Sequence, residues 1–169
     1  MTRRRALVFA ATATTVIAAD QVTKAVVRST LGLGEPVPVI DGLLWFTHVH
    51  NTGAAFGMFK DQRILLVGVG VLVLAAIGWV LVRMRPQSPL AHTGLALIAG
   101  GAVGNLIDRV VFGGVTDFFD LGWFPVFNVA DIALDVGVAL IVVWLLFSRD
   151  HHDEVADAGE GGEAGERDE

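Results

Sequence analysis

Residues 64–82 read ILLVGVGVLVLAAIGWVLV, a run of 19 residues without a charged side chain. A helix needs about 20 mostly apolar residues to cross a membrane, because the hydrocarbon core is about 30 Å thick and each residue rises about 1.5 Å. This run therefore predicts a membrane-spanning helix. Three other segments are long and apolar enough for the same role, and we predict spans at residues 6–27, 64–82, 90–109 and 129–147.

The composition agrees with a membrane protein. Of the 169 residues 53% are hydrophobic and 18% are charged, whereas an average soluble domain carries roughly a quarter charged residues. The net charge of −6 comes from residues 150–169, which hold nine of the 18 acidic residues and only one of the 12 basic residues. We therefore predict a membrane domain over residues 1–149 and a disordered, acidic cytoplasmic tail over residues 150–169.

The start of the chain has a second interpretation. Residues 3–5 are three arginines, and the apolar run that follows them resembles a cleavable signal peptide. The helix-compatible pattern continues beyond Ala19 as DQVTKAVV, however, and three more spans follow. We interpret the first segment as a retained helix.

The basic residues near the ends of the spans predict the orientation, because arginine and lysine are enriched in cytoplasmic loops. Four spans place both termini on the same side of the membrane. That side carries the larger group of basic residues, so we expect both termini in the cytoplasm. The cytoplasmic group is Arg3, Arg4, Arg5, Arg83, Arg85 and Arg149, and the outer group is Arg28, Lys60, Arg63 and Arg109.

Two outer segments connect the spans. Residues 35–60 alternate apolar and polar side chains between Gly and Pro turns, which predicts a small extracytoplasmic β element. Residues 110–128 are rich in Gly and aromatic residues and are predicted to form an interfacial loop. Its predicted membrane anchors are Phe118, Phe119, Trp123 and Phe124. The predicted fold class is an all-α membrane protein with four transmembrane helices, a β element and an interfacial loop.

Polar residues within the spans gather at the outer ends. Ionisable groups in a bilayer cost at least a few kcal/mol each, so they are functional or paired by default. Helical spacing puts each set on one face of its helix, and the three faces can meet at one site. The sets are Asp20 with Lys24, Asn105 with Asp108 and Arg109, and Asn128 with Asp131 and Asp135.

The residue types restrict the chemistry of such a site. The chain has no cysteine, which excludes thiol catalysis, and no histidine spacing predicts a zinc site. Carboxylates remain, and Asp20, Asp108, Asp117 and Asp131 are the candidates. Two neighbouring carboxyl groups cannot both ionise easily, so one can take a proton from water while the other donates to a carbonyl oxygen. The sequence thus permits an aspartyl hydrolase without choosing the pair.

Five motifs, in order and spacing, resemble the lipoprotein signal peptidases, the signal peptidase II family. They are DQVTK at 20–24, NTGAAFG at 51–57, GNLIDR at 104–109, GVTDFFD at 114–120 and FNVAD at 127–131. The resemblance implies an aspartic endopeptidase of the bacterial plasma membrane. Its members remove the signal peptide from prolipoproteins by cutting before a cysteine that carries a diacylglyceryl group.

The resemblance also implies the roles of single residues. Asp117 and Asp131 match the catalytic pair, and which of them is the base stays open. Residues that match the surroundings of the pair, as substrate-binding or supporting groups, are Asn51, Asn105, Arg109, Asn128, Asp20 and Lys24. Asp108 is expected to be structural, bonded to the backbone or to Arg109.

The resemblance further implies a monomer that needs no metal or cofactor, acts on lipidated prolipoproteins among membrane lipids near the outer leaflet, and binds no nucleic acid. Asp135 departs from the pattern, which leads us to expect a small or apolar residue there, and its role stays open. The main alternative function is a small proton-coupled transporter, and a non-enzymatic assembly factor is a third. Transporter sites, however, usually lie near the midplane between repeated halves, and no repeat is visible here.

Overall fold

The computed structural model describes residues 2–53 and 58–160. In that part of the chain, four α-helices alternate with three short strands. The elements are α1 (Arg3–Thr30), β1 (Pro36–Ile40), β2 (Leu44–Asn51), α2 (Arg63–Trp79), α3 (Pro89–Val111), β3 (Val115–Asp120) and α4 (Val129–Glu160).

The four predicted spans are confirmed as helices of membrane-spanning length and apolarity. Their most apolar windows have mean hydropathies of 1.4 to 2.8. The span of α2 continues through a π-helical turn, Val80–Met84. The helices begin up to three residues before the predicted spans, because side chains cap them there: Thr2 accepts from the backbone N–H of Arg5, and Ser88 accepts from that of Ala91.

The last helix differs from the prediction at its far end. Disorder was predicted from residue 150, whereas α4 continues to Glu160. Residues 150–160 contain no proline, so no residue there lacks the backbone N–H that a continuing helix uses. Residues 161–169 of the predicted tail lie outside the described residues.

Helix α3 is the centre of the bundle, with 61% of its span window buried against 6% to 17% for the other three spans. Glycines allow α1 and α4 to approach it closely. A Cβ atom at Gly100 would lie 2.8 Å from the Cβ of Val16 in α1, and one at Gly101 would lie 2.5 Å from the carbonyl oxygen of Ala130 in α4. The glycines of α3 therefore act in helix packing.

The strands form one antiparallel sheet in the order β1-β2-β3. The predicted β element is confirmed, but its third strand comes from the segment predicted as an interfacial loop. Strand β3 pairs with β2 so that Phe119 faces Phe46 and Asp117 faces Val49. The first four residues of β3 are all buried, so the strand lacks the apolar–polar alternation of a half-exposed strand.

Two of the aromatic residues predicted as membrane anchors pack inside the protein instead. Phe118 is buried, and the ring of Phe119 lies 5.7 Å from that of Phe46 and 5.4 Å from that of Phe127. Trp123 is exposed, as an anchor requires. The backbones of Phe119 and Phe127 also exchange two hydrogen bonds of 2.8 and 3.1 Å, which brings the start of α4 next to β3.

Candidate active site

Asp117 lies in β3 and is 2% exposed. Asn51, at the end of β2, donates from Nδ2 to Oδ2 of Asp117 at 2.9 Å, and Asn128 donates from Nδ2 to Oδ1 at 2.6 Å. The orientation of Asn51 is set by its own oxygen, which accepts from the backbone N–H of Gly53 at 2.9 Å. Two neutral amides therefore hold this carboxyl group from opposite sides.

Asp131 lies in the first turn of α4, three residues after Asn128, which directly precedes the helix. The backbone N–H of Asn128 donates to Oδ2 of Asp131 at 3.1 Å, and the backbone N–H of Asp131 donates to Oδ1 of Asn128 at 3.0 Å. This reciprocal pair is a capping box, which stabilises the start of a helix. Because Asn128 also donates to Asp117, one side chain connects the two predicted catalytic aspartates.

Asn105 connects the pair to a buried cation. Its Nδ2 donates to Oδ1 of Asp131 at 2.8 Å, and its Oδ1 accepts from Lys24 at 2.9 Å and from Asn128 at 3.2 Å. An ammonium group has only donors, so Lys24 requires the oxygen of Asn105 on its side. The nitrogen of Asn105 must then point to Asp131.

The predicted ion pair of Asp20 and Lys24 is present and completely buried, with Nζ 2.9 Å from Oδ2. Asp108, which is also completely buried, lies 3.6 Å from the same ammonium group. Asp20 accepts from the backbone N–H of Ala130 at 3.0 Å, and Asp108 accepts from that of Thr116 at 2.9 Å. We call Asp20, Lys24 and Asp108 the buried ion cluster.

The buried ion cluster ties the site together, because its backbone partners belong to α4 and β3, the two elements that carry the aspartates. Asp108 is bonded to the backbone, as expected for a structural residue, and no hydrogen bond to Arg109 is present among the described residues. The predictions missed Gln21, which donates to Asp20, to Asp108 and to the carbonyl oxygen of Gly104, each at 3.1 Å. Its position beside Asp20 within a span is a signal that could have revealed it.

Arg109 lies in the last turn of α3, beside both aspartates. Its guanidinium group donates to the carbonyl oxygen of Gly53 at 3.4 Å, and its charge interacts with Asp131 and Asp117. Its Nε is buried and has no hydrogen-bond partner in the described part of the chain. Because an unsatisfied buried donor is costly, Arg109 is suited to bind an acceptor that enters from outside.

The two aspartates share one cavity of about 440 Å³. Asn51, Asn105 and Arg109 line its polar wall. Aromatic and aliphatic residues between 121 and 134 line the other wall, and Asp135 completes the lining. Asp135 is exposed on this surface, one helical turn beyond Asp131, and forms no hydrogen bond or ion pair with any described residue. Of the six predicted supporting residues, three line the cavity and two, Asn128 and Lys24, bond to residues that line it. Asp20 lies one step further away, bonded to Lys24 and to the backbone of Ala130.

Burial raises the pKa of Asp117 from 3.8 to about 7, and the charge of Asp131 acts in the same direction. Hydrogen bonds from Asn51 and Asn128 oppose this increase. A carboxyl group with this pKa holds its proton for much of the time near neutral pH. The pair can therefore carry one proton and one negative charge, as acid–base catalysis of hydrolysis requires.

The site offers no obvious place for a metal. Among residues 2–53 and 58–160, no group of three or more His, Asp or Glu residues could hold a metal ion. The groups that donate hydrogen bonds around the aspartates are amides, an ammonium group and a guanidinium group. These N–H groups do not suit a metal cation.

The fold and the site together define a four-span membrane protein with a paired-carboxylate centre. The family model of signal peptidase (SPase) II matches residues 12–147. The chain therefore belongs to the signal peptidase II family and is a peptidase.

Relatives agree over most of the chain. It is 46% identical to the lipoprotein signal peptidase of Geobacillus thermodenitrificans over 147 residues, which cover 85% of this chain and 92% of the relative. It is also 46% identical to that of Moorella thermoacetica, with 78% and 87% covered. The transporter alternative receives no support from these relatives.

The fold is also similar to solved structures. A bacterial membrane enzyme determined by the in meso method at 2.3 Å resolution is 32% identical, with a TM-score of 0.82 over 85% of this chain and 90% of that one. A second such enzyme, at 1.9 Å resolution, is 33% identical with a TM-score of 0.76, over 82% of this chain and 92% of that one.

Proposed function

We propose that this protein removes the signal peptide from bacterial prolipoproteins by cutting before a cysteine that carries a diacylglyceryl group, with Asp117 and Asp131 as the catalytic residues. The observation that carries the proposal is the pair itself: both aspartates line one cavity and are connected through Asn128. Membership of the signal peptidase II family supplies the substrate class.

The hydrolysis needs one ionised and one protonated carboxyl group. The ionised group removes a proton from water, and the resulting hydroxide oxygen attacks the scissile carbonyl carbon. The protonated group donates its proton to the carbonyl oxygen, so that a tetrahedral diol forms. The C–N bond then breaks as the nitrogen takes a proton from the group that acted as base. One hydroxyl of the diol returns its proton to the other carboxylate as the new carboxyl group forms, so the pair again holds one proton and one negative charge. Either aspartate can fill either role.

Neighbouring residues would support these steps. Arg109 carries a positive charge beside the pair and has an unused donor at Nε, so it can bind a substrate carbonyl oxygen. Asn51 and Asn128 hold Asp117, and Asn105 holds Asp131, which keeps the reacting atoms aligned. Asp20 and Lys24 act through these residues by fixing the start of α4 and the orientation of Asn105.

The membrane arrangement follows from the distribution of charge. Both termini lie in the cytoplasm, and the aspartate pair lies near the outer leaflet of the bacterial plasma membrane. The substrate's signal helix would run along the cavity from the cytoplasmic side, with its lipidated cysteine at the outer surface. The apolar wall of the cavity suits aliphatic side chains or acyl chains. All the proposed site residues come from one chain, so a monomer is sufficient.

The direct test uses Asp117→Asn and Asp131→Asn in purified full-length protein with a synthetic lipidated precursor peptide. Each variant should release no signal peptide. Asp120→Asn is the matched control, since Asp120 lies in the same strand outside the cavity and should retain activity. Normal cleavage by either active-site variant would overturn the assignment.

Two further measurements examine the rest of the proposal. A precursor whose cysteine lacks the lipid should be cut poorly, because the membrane-surface contacts would be missing. Activity should persist in a strong chelator, because the mechanism needs no metal ion. Loss of activity on chelation would contradict the proposed chemistry, and equal cleavage of the unlipidated precursor would contradict the proposed substrate class.

A further inference from the structure

A second cavity, of about 460 Å³, lies where α1 and α3 begin. It shares no lining residue with the cavity that holds the aspartates. We call it the basal cavity, and its lining includes Arg4, Arg5 and Val8 from α1 and Pro89, His92 and Thr93 from α3. Nothing in the peptidase mechanism uses these residues.

The basal cavity is positively charged. Arg4 and Arg5 line it, and none of the acidic side chains that the structure describes does so. The first turns of α1 and α3 both contribute to its wall, so two helix N-termini add partial positive charge at the same place. The guanidinium group of Arg5 donates to the side-chain oxygen of Gln87, which ties the arginine to the loop before α3. The hydrogen bond therefore holds one of the two guanidinium groups in a defined position beside the cavity.

His92 adds a polar group of a different kind. It is 7% exposed, and its Nδ1 lies 3.2 Å from the carbonyl oxygen of Ser88. A carbonyl oxygen only accepts, so Nδ1 carries the hydrogen, and in the neutral ring Nε2 is then an acceptor. In the described part of the chain nothing bonds to Nε2. A hydroxyl group entering the cavity could donate to it.

The cavity also reaches the apolar part of the bundle. Val8 lies one helical turn beyond Arg4 and half of it is exposed. A free phosphate ion gains nothing from contact with this apolar surface. The glycerol and the first acyl carbons of a lipid can pack against it. The arginines at one depth and Val8 at the next thus match the order of groups in a phospholipid.

We propose that the basal cavity binds an anionic glycerophospholipid whose headgroup is an uncharged polyol. The phosphodiester pairs with Arg4 and Arg5, a headgroup hydroxyl donates to His92, and the acyl region lies against Val8. The two guanidinium groups disfavour an ammonium headgroup such as choline. In the orientation proposed above the lipid belongs to the cytoplasmic leaflet, but its binding does not depend on the peptidase activity.

The test is native mass spectrometry of the full-length protein titrated with phosphatidylglycerol or phosphatidylcholine. The variant Arg4→Gln/Arg5→Gln should bind the first phosphatidylglycerol about 10- to 30-fold more weakly. The control Arg3→Gln/Arg83→Gln removes equal charge from exposed residues outside the cavity and should retain the affinity of the natural protein. Val8→Trp fills the apolar part without changing charge and should also weaken binding.

The outcomes separate the possible ligands. Equal losses in the two arginine variants, or no loss with Val8→Trp, would indicate diffuse attraction to charge and overturn the proposal. Equal affinity of the natural protein for the two lipids would do the same. Competition by inorganic phosphate at low millimolar concentration would assign the site to a free anion instead of a lipid. Melting temperatures measured in phosphatidylcholine should agree among all variants, so that altered binding is not a result of unfolding.

Discussion

The protein holds two groups of carboxylates next to each other, and their surroundings differ. In the buried ion cluster, Asp20 and Asp108 face the ammonium group of Lys24, and all three side chains are completely buried. In the proposed catalytic pair, Asp117 and Asp131 are held mainly by neutral amides and open onto a cavity. Arg28 also lies 3.6 Å from Asp108, so the two carboxylates of the first group face two cations. The second group keeps one charge and one proton available.

The different surroundings suit the two groups to different roles: the buried ion cluster supports the structure, and the pair of Asp117 and Asp131 is available for proton transfer. A carboxylate bonded to a buried ammonium group has a fixed partner and acts in support of the structure. A carboxyl group held by amides keeps its position but has a pKa that burial can raise, as for Asp117 at about 7. Asn105 is the link between the two groups, since it accepts from Lys24 and donates to Asp131.

The largest expected effect is loss of activity without loss of the fold. Asp117→Asn should lower the rate at least about a thousandfold, because the pair then lacks one of its two proton-transfer groups. The folded pKa of Asp117 is raised from 3.8 to about 7, so the unfolded chain releases this proton first. The native state therefore loses stability as the pH rises from about 4 to about 7.

Asp117→Asn cannot lose this proton, so it should melt about 5 °C or more above the natural protein at pH 8. The difference in melting temperature should shrink at pH 4. Scanning calorimetry in detergent at the two pH values measures this. A variant that melts lower at pH 8 would show that Asp117 is structural and belongs with the buried ion cluster.

Lys24→Met should instead reduce stability. Removing the ammonium group leaves Asp20 and Asp108 buried without that counter-charge, at a cost of about 3–5 kcal/mol. Activity should fall by more than the folded fraction, because Asn105 also loses the donor that fixes its orientation toward Asp131. Lys24→Met/Asp20→Leu removes an acid together with the base and should recover part of the stability, measured by chemical unfolding in detergent. If the single variant is as stable as the natural protein, the cluster does not depend on Lys24.

Asn128→Ala tests the side chain that joins the aspartates. The loss of the cap on α4 should cost about 1 kcal/mol of stability, and misalignment of the pair should lower the rate about 100-fold. Ser88→Ala is the matched control, because it removes the cap of α3 at the other end of the bundle. It should cost similar stability and leave the rate unchanged. Equal rate losses in both variants would mean that Asn128 contributes only to stability.

The pH dependence of cleavage should reflect the shared proton. The rate should fall about tenfold for each pH unit above about 7, as the second carboxyl group ionises. Initial rates between pH 5 and 9 measure this, and Asp120→Asn should give the same profile. A rate that stays constant to pH 9 would exclude a protonated carboxyl group from the mechanism.

Asp135→Asn should have the smallest effect, a change in rate within about threefold. The side chain lines the cavity but no described residue holds it in place, so it lacks the fixed geometry that a catalytic group requires. A loss of tenfold or more, measured as kcat/KM on the lipidated precursor, would move Asp135 into the catalytic machinery.

Several features of the fold were predictable because they depend on local patterns. Each span follows from its own run of apolar residues, and the ion pair of Asp20 and Lys24 follows from helical spacing. The third strand was not predictable, because β3 is buried on both faces and pairs with β2 more than 60 residues earlier in the chain.

The site was only partly visible in the sequence. The residues alone left four aspartates as candidates, and the resemblance to a family chose two of them. Neither indicated that Gln21 would bridge two carboxylates or that Asn105 would join the ion cluster to Asp131. These contacts connect α1, α3 and α4, and no local spacing records them.

The sequence by itself determined the membrane class, the four spans and the identity of the groups available for chemistry, because each of these depends on neighbouring residues or on residue type. Only the tertiary structure decided which carboxylates are neutralised and which share a proton. That distinction depends on which donor lies within hydrogen-bond distance of each oxygen, and the donors come from helices and strands far apart in the chain.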